Sequence, residues 1–445
     1  MKSNSDVGQL DLLTGSELAA ARENVLRNRS GSFVDNMKLP IHRWFRYSAG
    51  FSGDWAKQLI ASKCEKIEDL TVLDPFSGSG TTLISADMLG VKSYGLEPHS
   101  FVNKVASAKL SWNVDPAILV SESNALLDFA KELLKGQCAD LESPLLLKCF
   151  SETSLKSLCS LRDAFNSFAF SSAELAELIW LAITSIIRKT SSAGTAQWQY
   201  VLPKKSKKRI AEPYQAFKDT IQNMAEDMQL AKSLHLASSR ASCVLADARS
   251  FSGTVVAENS IDLVVTSPPY PNNYDYADAT RLEMTFWGYI KGWKDLQGSI
   301  RKDLIRSCSQ HSAAEKLKLE GLLETECLSP IKDEVSKVCL ELEKVRLTKG
   351  GKKTYHTMVA AYFVDLARVW GELYKVCREG AEICFVVGDS APYGVHVPVE
   401  KWLGDIALSH GFESWEFEKL RDRNVKWKNR KHTVPLHEGR LWVKK

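Results

Sequence analysis

Thr71-Val72-Leu73-Asp74-Pro75-Phe76-Ser77-Gly78-Ser79-Gly80-Thr81-Thr82 decides the fold of this chain. A short apolar strand closes on an acid, enters a loop with two glycines and continues as a helical pattern over 83–89. Glycines let the backbone approach a ligand closely, and the N-terminus of the following helix favours an anionic group. A lone Gly-x-Gly is common in turns, whereas the whole string after a strand-end acid is far more specific. Residues 91–97 read as the next strand, which closes on Glu97, 23 residues after Asp74. In nucleotide-binding α/β folds a carboxylate at that spacing commonly accepts ribose hydroxyls. A further strand over 242–247 ends on Asp247. Three strand-end acids beside a glycine loop predict an α/β fold with a nucleoside-shaped pocket.

A second motif lies far downstream. The apolar run Ile261-Asp262-Leu263-Val264-Val265-Thr266 reads as a buried strand and delivers Ser267-Pro268-Pro269-Tyr270 just beyond its carboxyl end. Parallel sheets usually present their chemistry at that edge. Two prolines stiffen the backbone and remove two N–H donors. A row of acceptors remains, with an aromatic ring beside it, suited to a planar substrate that carries an amino group. Taken alone, the tetrapeptide is also compatible with an ordinary rigid turn.

Together the two motifs resemble those of the DNA amino-methyltransferases, which move the methyl of S-adenosylmethionine to an exocyclic base nitrogen. The resemblance implies a Rossmann-like methyltransferase sheet with helical insertions. It also implies S-adenosyl-L-methionine as cofactor, contacted by Phe51, Asp74, Phe76, Gly78, Gly80, Thr81, Thr82, Glu97 and Asp247. Phe51 would face the methionine end, Glu97 the ribose and Asp247 the adenine amino group. Ser267, Pro268, Pro269 and Tyr270 would be catalytic, and residues 380–390 would form a later strand shaping the target-base pocket. The matched pieces lie in 41–110, 241–290 and 360–445. Family members with Ser before Pro-Pro-Tyr mostly modify cytosine N4, so the expected product is N4-methylcytosine in DNA, with adenine N6 as the alternative. The cofactor loop precedes the tetrapeptide here, although its wording looks more like the group with the reversed order. Such enzymes commonly serve restriction–modification, which implies DNA and a partner restriction endonuclease as partners. Less favoured rivals are a tRNA guanine-N2 methyltransferase and a non-catalytic DNA-binding module.

The chemistry can be argued without the family. A sulfonium methyl donor is already reactive, so the difficulty is an amine whose lone pair is delocalised into the base. Acceptors at Ser267 Oγ and the Pro268 carbonyl would pyramidalise that nitrogen and stabilise its developing positive charge. Tyr270 would stack on the base, and in-line positioning supplies much of the remaining acceleration. A base in a duplex must first leave the stack. No metal is required, and the ten cysteines hold no Cys-x-x-Cys pair. The histidines show no close ligand spacing. Scattered thiols fit a reducing cytoplasm.

The 445 residues suffice for one large domain with an appended one. Residues 1–6 are polar rather than a signal region, and the longest apolar stretch, 178–187, is too short for a bilayer. Net charge is only +4, but it is clustered. Lys204, Lys205, Lys207, Lys208 and Arg209 follow two aromatic residues, and Arg423, Lys426, Lys428 and Arg430 surround Trp427. Both clusters are candidates for phosphate contact. Helical periodicity divides the chain into a lead-in over 1–40, with a helix at 16–27, and a first insertion over 111–240 that includes Lys204 to Arg209. A second insertion covers 291–355, and an amphipathic helix over 358–377 begins the last part, 356–445. The expected methyltransferase portions are 41–110, 241–290 and 356–445. Both insertions are expected near the carboxyl edge, where a target base must arrive.

Overall fold

The sheet is organised around Val72 and Leu73, which are inaccessible to solvent. The computed structural model describes residues 33–135, 143–196, 199–234, 240–272, 274–314, 316–349, 353–423 and 434–445. Strand β1 (Thr71–Asp74) pairs in parallel with β2 (Lys92–Leu96), Thr71 opposite Lys92 and Asp74 opposite Gly95. The two-stranded hairpin β3 (Ala193–Thr195) and β4 (Val201–Ser206) stands apart. Strands β5 (Ala241–Val244), β6 (Ile261–Thr266), β7 (Cys377–Gly388), β8 (Ser414–Arg423) and β9 (Leu436–Lys444) complete the main sheet. Its order is β5-β2-β1-β6-β7-β9-β8. The first five strands run parallel; β9 pairs antiparallel with β7, and β8 pairs antiparallel with β9, so β8 runs again in the direction of the first five.

The chemistry of the strands explains this. Parallel strands are covered on both faces and therefore read as continuous apolar runs, as Leu263-Val264-Val265 and Ile383-Cys384-Phe385-Val386-Val387 do, all buried. The chain moves outward from β1 in one direction to β2 and in the other to β6. That reversal opens a crevice at the carboxyl ends of β1 and β6, where ligands bind in open α/β sheets. The expected mixed α/β sheet is the fold observed.

Between β2 and β5 the helices Pro116–Leu134, Glu152–Ser167, Ala173–Thr190 and Pro213–Ser233 build their own core around Trp180, Leu178 and Ile183. Among the described residues no helix is long and apolar enough to cross a membrane.

Four expectations need correction or fall outside the described residues. Strand β5 stops at Val244 rather than 247, because Leu245 is exposed at the sheet edge, so Asp247 sits in the following loop. The first insertion, read as helical, also holds strand β4, which carries Lys204 and Lys205 in a Val-Leu-Pro segment where Pro203 disfavours helix. The helix Tyr355–Val376 is buried around almost its whole circumference, not amphipathic, because the second insertion covers the side facing away from the sheet. The lead-in helix at 16–27 lies outside the described residues; Phe33–Lys38 is a 3-10 helix.

Gly439 of β9 faces Val387 on one side and Lys419 on the other. A Cβ there would collide with the Glu418 carbonyl and the Phe417 ring. Gly439→Ala should therefore cost about 1–3 kcal/mol through strand displacement. Thermal denaturation checks this, and an unchanged melting temperature would show that β8 yields freely.

Candidate active site at the carboxyl edge of the sheet

A cavity of about 370 Å³ lies in the crevice beyond β1 and β6. One half is formed by Phe51, Phe76, Ser77, Gly78, Thr81, Glu97 and Asp247, and the other by Ser267, Pro269, Tyr270, Tyr274, Tyr276 and Arg423. The two motifs, nearly 200 residues apart in the chain, are thus the two walls of one site.

Asp74, Gly80 and Thr82 do not line the cavity; they build the loop that does. Asp74 is buried beneath it and accepts the Thr266 hydroxyl at 2.5 Å and the Phe76 N–H at 3.1 Å. Thr82 Oγ1 donates to the Val265 carbonyl at 2.9 Å, clamping the helix start to β6. Gly80 caps that helix at φ 87°, a left-handed conformation that a side chain would strain. Gly78 also has positive φ, and a Cβ there would press on the Tyr47 ring at 3.2 Å.

Glu97 and Asp247 reach the cavity by different means. Glu97 is buried and accepts the His99 N–H at 2.9 Å. Burial raises its pKa to about 7, against the lowering effect of the His99 and Gly78 N–H groups. Burial likewise raises Asp74 to about 6, opposed by the Thr266 and Thr82 hydroxyls and the Phe76 N–H. Asp247 is gripped by Arg249 at 2.6 Å, and Arg249 reaches Asp365 at 3.3 Å. Asp365, wholly buried, also holds Arg306 at 2.5 Å. A chain of charge pairs thereby ties the Asp247 wall to the second insertion.

In the opposite wall, Ser267 Oγ donates to the Val386 carbonyl at 3.1 Å, and the Tyr270 hydroxyl donates to the same oxygen at 3.3 Å. A serine hydroxyl has one proton and two lone pairs. With its proton committed to Val386, Ser267 has acceptor capacity left to present to the cavity. Burial pushes the Tyr270 phenol well above its ordinary pKa. Pro268 is buried and, unlike Pro269, does not line the cavity.

Arg423 is placed differently from the sequence expectation of a phosphate-contacting cation. Its guanidinium lies 5.3 Å from the Tyr270 ring centroid and donates to the Asp389 carbonyl at 3.0 Å. It reaches the cavity because β8 runs along β9 to the carboxyl edge. Lys207 is corrected too: its ammonium donates to the Arg188 carbonyl at 2.5 Å, and burial lowers its pKa, so it is a structural tie. Lys204, Lys205, Lys208 and Arg209 are exposed. Lys426, Lys428 and Arg430 lie outside the described residues.

Sequence reasoning missed Tyr274, Tyr276, Arg421 and Glu438, which also line the cavity. The spacing Tyr270, Tyr274, Tyr276 was a visible signal: Tyr274 and Tyr276 pack edge to face at 4.5 Å, and the Tyr276 hydroxyl accepts the Tyr270 N–H at 3.4 Å. The pair Arg421–Glu438, at 2.8 Å, spans two strands and left no local pattern. The first insertion is joined to the tetrapeptide loop as well. Arg188 binds Glu283 at 2.5 Å and the Ala279 carbonyl at 2.6 Å, while the Tyr200 hydroxyl accepts the Asp275 N–H at 2.7 Å.

The chain resembles Type II methyltransferases. It is 26% identical over 439 aligned positions to the Type II methyltransferase M.BsoBI of Geobacillus stearothermophilus, which covers 88% of this chain and 82% of that protein. It is 25% identical over 410 positions to the Type II methyltransferase M.AvaI of Nostoc sp. and of Anabaena variabilis, covering 86% of this chain and 81% of each. No family model matches the chain, and no solved structure matches it significantly. The similarity to these Type II methyltransferases extends well beyond the motif-bearing portions.

The raised pKa of Glu97 has a consequence for stability. Between about pH 4.5 and 7 the folded chain retains a proton on Glu97 that the unfolded chain has lost, so this group destabilises the fold increasingly as pH rises through that window. Glu97→Gln, which cannot ionise, should gain melting temperature relative to the parent as pH goes from 5 to 7.5. Scanning calorimetry across that range checks the sign; a constant difference would contradict it.

Proposed function

We propose that this chain is a DNA methyltransferase that transfers a methyl group from S-adenosylmethionine to the exocyclic N4 amine of cytosine at specific sites. The observation that carries the proposal is the single cavity walled by the glycine loop and Glu97 on one side and by an acceptor-presenting Ser267 on the other. Similarity to Type II methyltransferases over 86–88% of the chain supports the same reading.

In this reading the adenosyl group lies between Glu97 and Asp247, with the methionine end towards Phe51 and Thr81. S-adenosylmethionine supplies the electrophilic methyl. The base leaves the duplex and enters beside Tyr270. Ser267 Oγ accepts one hydrogen of the amine, and the carbonyl of Pro268, which lies just behind the cavity wall, accepts the other as the base seats against Tyr270. These acceptors favour a pyramidal nitrogen and stabilise the positive charge that grows as it attacks. The exposed cations Lys204, Lys205, Lys208 and Arg209 contact phosphates, held near the site by the Arg188 and Tyr200 ties.

Cytosine is preferred over adenine because of the Ser-Pro-Pro-Tyr wording. On the Watson–Crick edge cytosine offers two acceptors beside its amine, N3 and O2, whereas adenine offers N1 there and N7 on the other side of its amine. The Arg423 guanidinium beside Tyr270 carries donors suited to the cytosine edge. The physiological setting proposed is restriction–modification, with a partner endonuclease recognising the same sequence.

Mass spectrometry of nucleosides from DNA incubated with the protein and S-adenosylmethionine tests the proposal. N4-methylcytosine is expected. N6-methyladenine alone would reassign the base, and methylation of tRNA but not DNA would reassign the substrate. Cofactor binding without transfer to either would support a non-catalytic module.

A further inference from the structure

Beneath the tetrapeptide loop, Asp275, Cys308 and His311 converge on one point. A carboxylate oxygen, the thiol sulfur and an imidazole nitrogen all lie within 4.8 Å of one another, and the three residues are at most 5% exposed. They come from two segments. Asp275 follows Tyr274 in the loop after β6, whereas Cys308 and His311 belong to the second insertion. Cys308-Ser309-Gln310-His311 sets a thiol and an imidazole three residues apart on one short segment, the same separation as the paired ligands of a Cys-x-x-Cys zinc site.

His311 is the anomaly that points to a ligand. Among the described residues neither of its ring nitrogens has a hydrogen-bond partner, although the side chain is buried. The Ile305 carbonyl lies nearby without hydrogen-bond geometry. A buried polar atom left unpaired is costly and calls for an explanation such as a bound ion. Asp275 is compatible with one. Arg301 holds its Oδ2 at 2.5 Å, but the contacts to Oδ1, from Arg301 Nε and the Asp278 N–H, are both long at 3.4 Å. Metal-ligating carboxylates are typically oriented by a second hydrogen-bonding partner in this way.

We propose that Asp275, Cys308 and His311 bind one zinc ion through Oδ1, Sγ and a ring nitrogen, with a water as the fourth ligand. The mixed oxygen, sulfur and nitrogen donor set suits zinc rather than magnesium or calcium. On binding, the zinc–sulfur bond replaces the S–H bond and the thiol proton leaves to solvent, with no change of oxidation state. The carboxylate, thiolate and Arg301 guanidinium sum to one negative charge, which a dication turns into one positive charge. None of the three ligands lines the cavity, so the ion is a structural clip. It joins the loop bearing Tyr270, Tyr274 and Tyr276 to the segment of Asp303, Leu304 and Ile305, which does line the cavity.

The full-length protein, purified without chelator from zinc-supplemented culture, should contain about one zinc per chain by plasma mass spectrometry. Cys308→Ser and His311→Gln should each lower that content roughly tenfold or more, while Cys327→Ser leaves it unchanged. Chelation of the wild-type protein should lower its melting temperature by roughly 2–5 °C, restored by zinc but not magnesium. The chelation arm stands even where a variant fails to fold. The proposal is overturned if wild-type protein carries no zinc and gains no melting temperature from it. It is equally overturned if folded Cys308→Ser and His311→Gln retain the metal.

Discussion

The carbonyl oxygen of Val386 receives the hydroxyl protons of both Ser267 and Tyr270. That shared acceptor gives the site its chemical polarity, because a serine whose proton is taken inward can offer lone pairs outward. The arrangement depends on the register of β6 against β7, in which Val265 faces Cys384 and Thr266 faces Phe385. Ser267, one residue further on, then meets Val386. A one-residue slip would turn the buried side chains of these strands to the wrong face, so burial of Val264, Val265, Val386 and Val387 maintains the polarity of the hydroxyl.

Around that point the structure uses buried charge for placement. Arg188 with Glu283, Arg301 with Asp275, and Arg249 and Arg306 with Asp365 each connect segments distant in sequence. A buried ion pair seldom gains much over an apolar replacement, but losing one partner typically costs about 3–5 kcal/mol. Such pairs therefore specify one geometry and penalise the alternatives. Here they hold the loop after the tetrapeptide between two insertions, and through Arg249 they reach the Asp247 wall of the same cavity. The exposed cations on β4 are carried by the same framework, since Lys207 and Arg188 anchor the hairpin to the helix Ala173–Thr190.

Much of this was legible in the sequence because it is local. Strands β1 and β6 are unbroken apolar runs, and the glycine loop and tetrapeptide follow them directly. The helices of the first insertion announce themselves by periodicity. Asp74 was legible as important, but not as a residue beneath the loop, because side-chain direction at a strand end depends on what packs there. Arg423 was misread for a related reason. In sequence it belongs to a basic run, and only the antiparallel return of β8 along β9 brings it to Tyr270. Glu438 and Arg421 became part of the site by cross-strand pairing, which has no signature within a few residues. The cluster was not legible as a site because Asp275 lies 33 and 36 positions from Cys308 and His311, which are themselves only three apart.

The central claim is that Ser267 acts as a hydrogen-bond acceptor for the reacting amine. Single-turnover methyl transfer by Ser267→Ala, with S-adenosylmethionine affinity measured on the same protein, tests it most directly. The account predicts a rate lower by about 10²-fold with cofactor affinity essentially unchanged. Transfer at the parent rate, or a loss explained wholly by weaker cofactor binding, would contradict it.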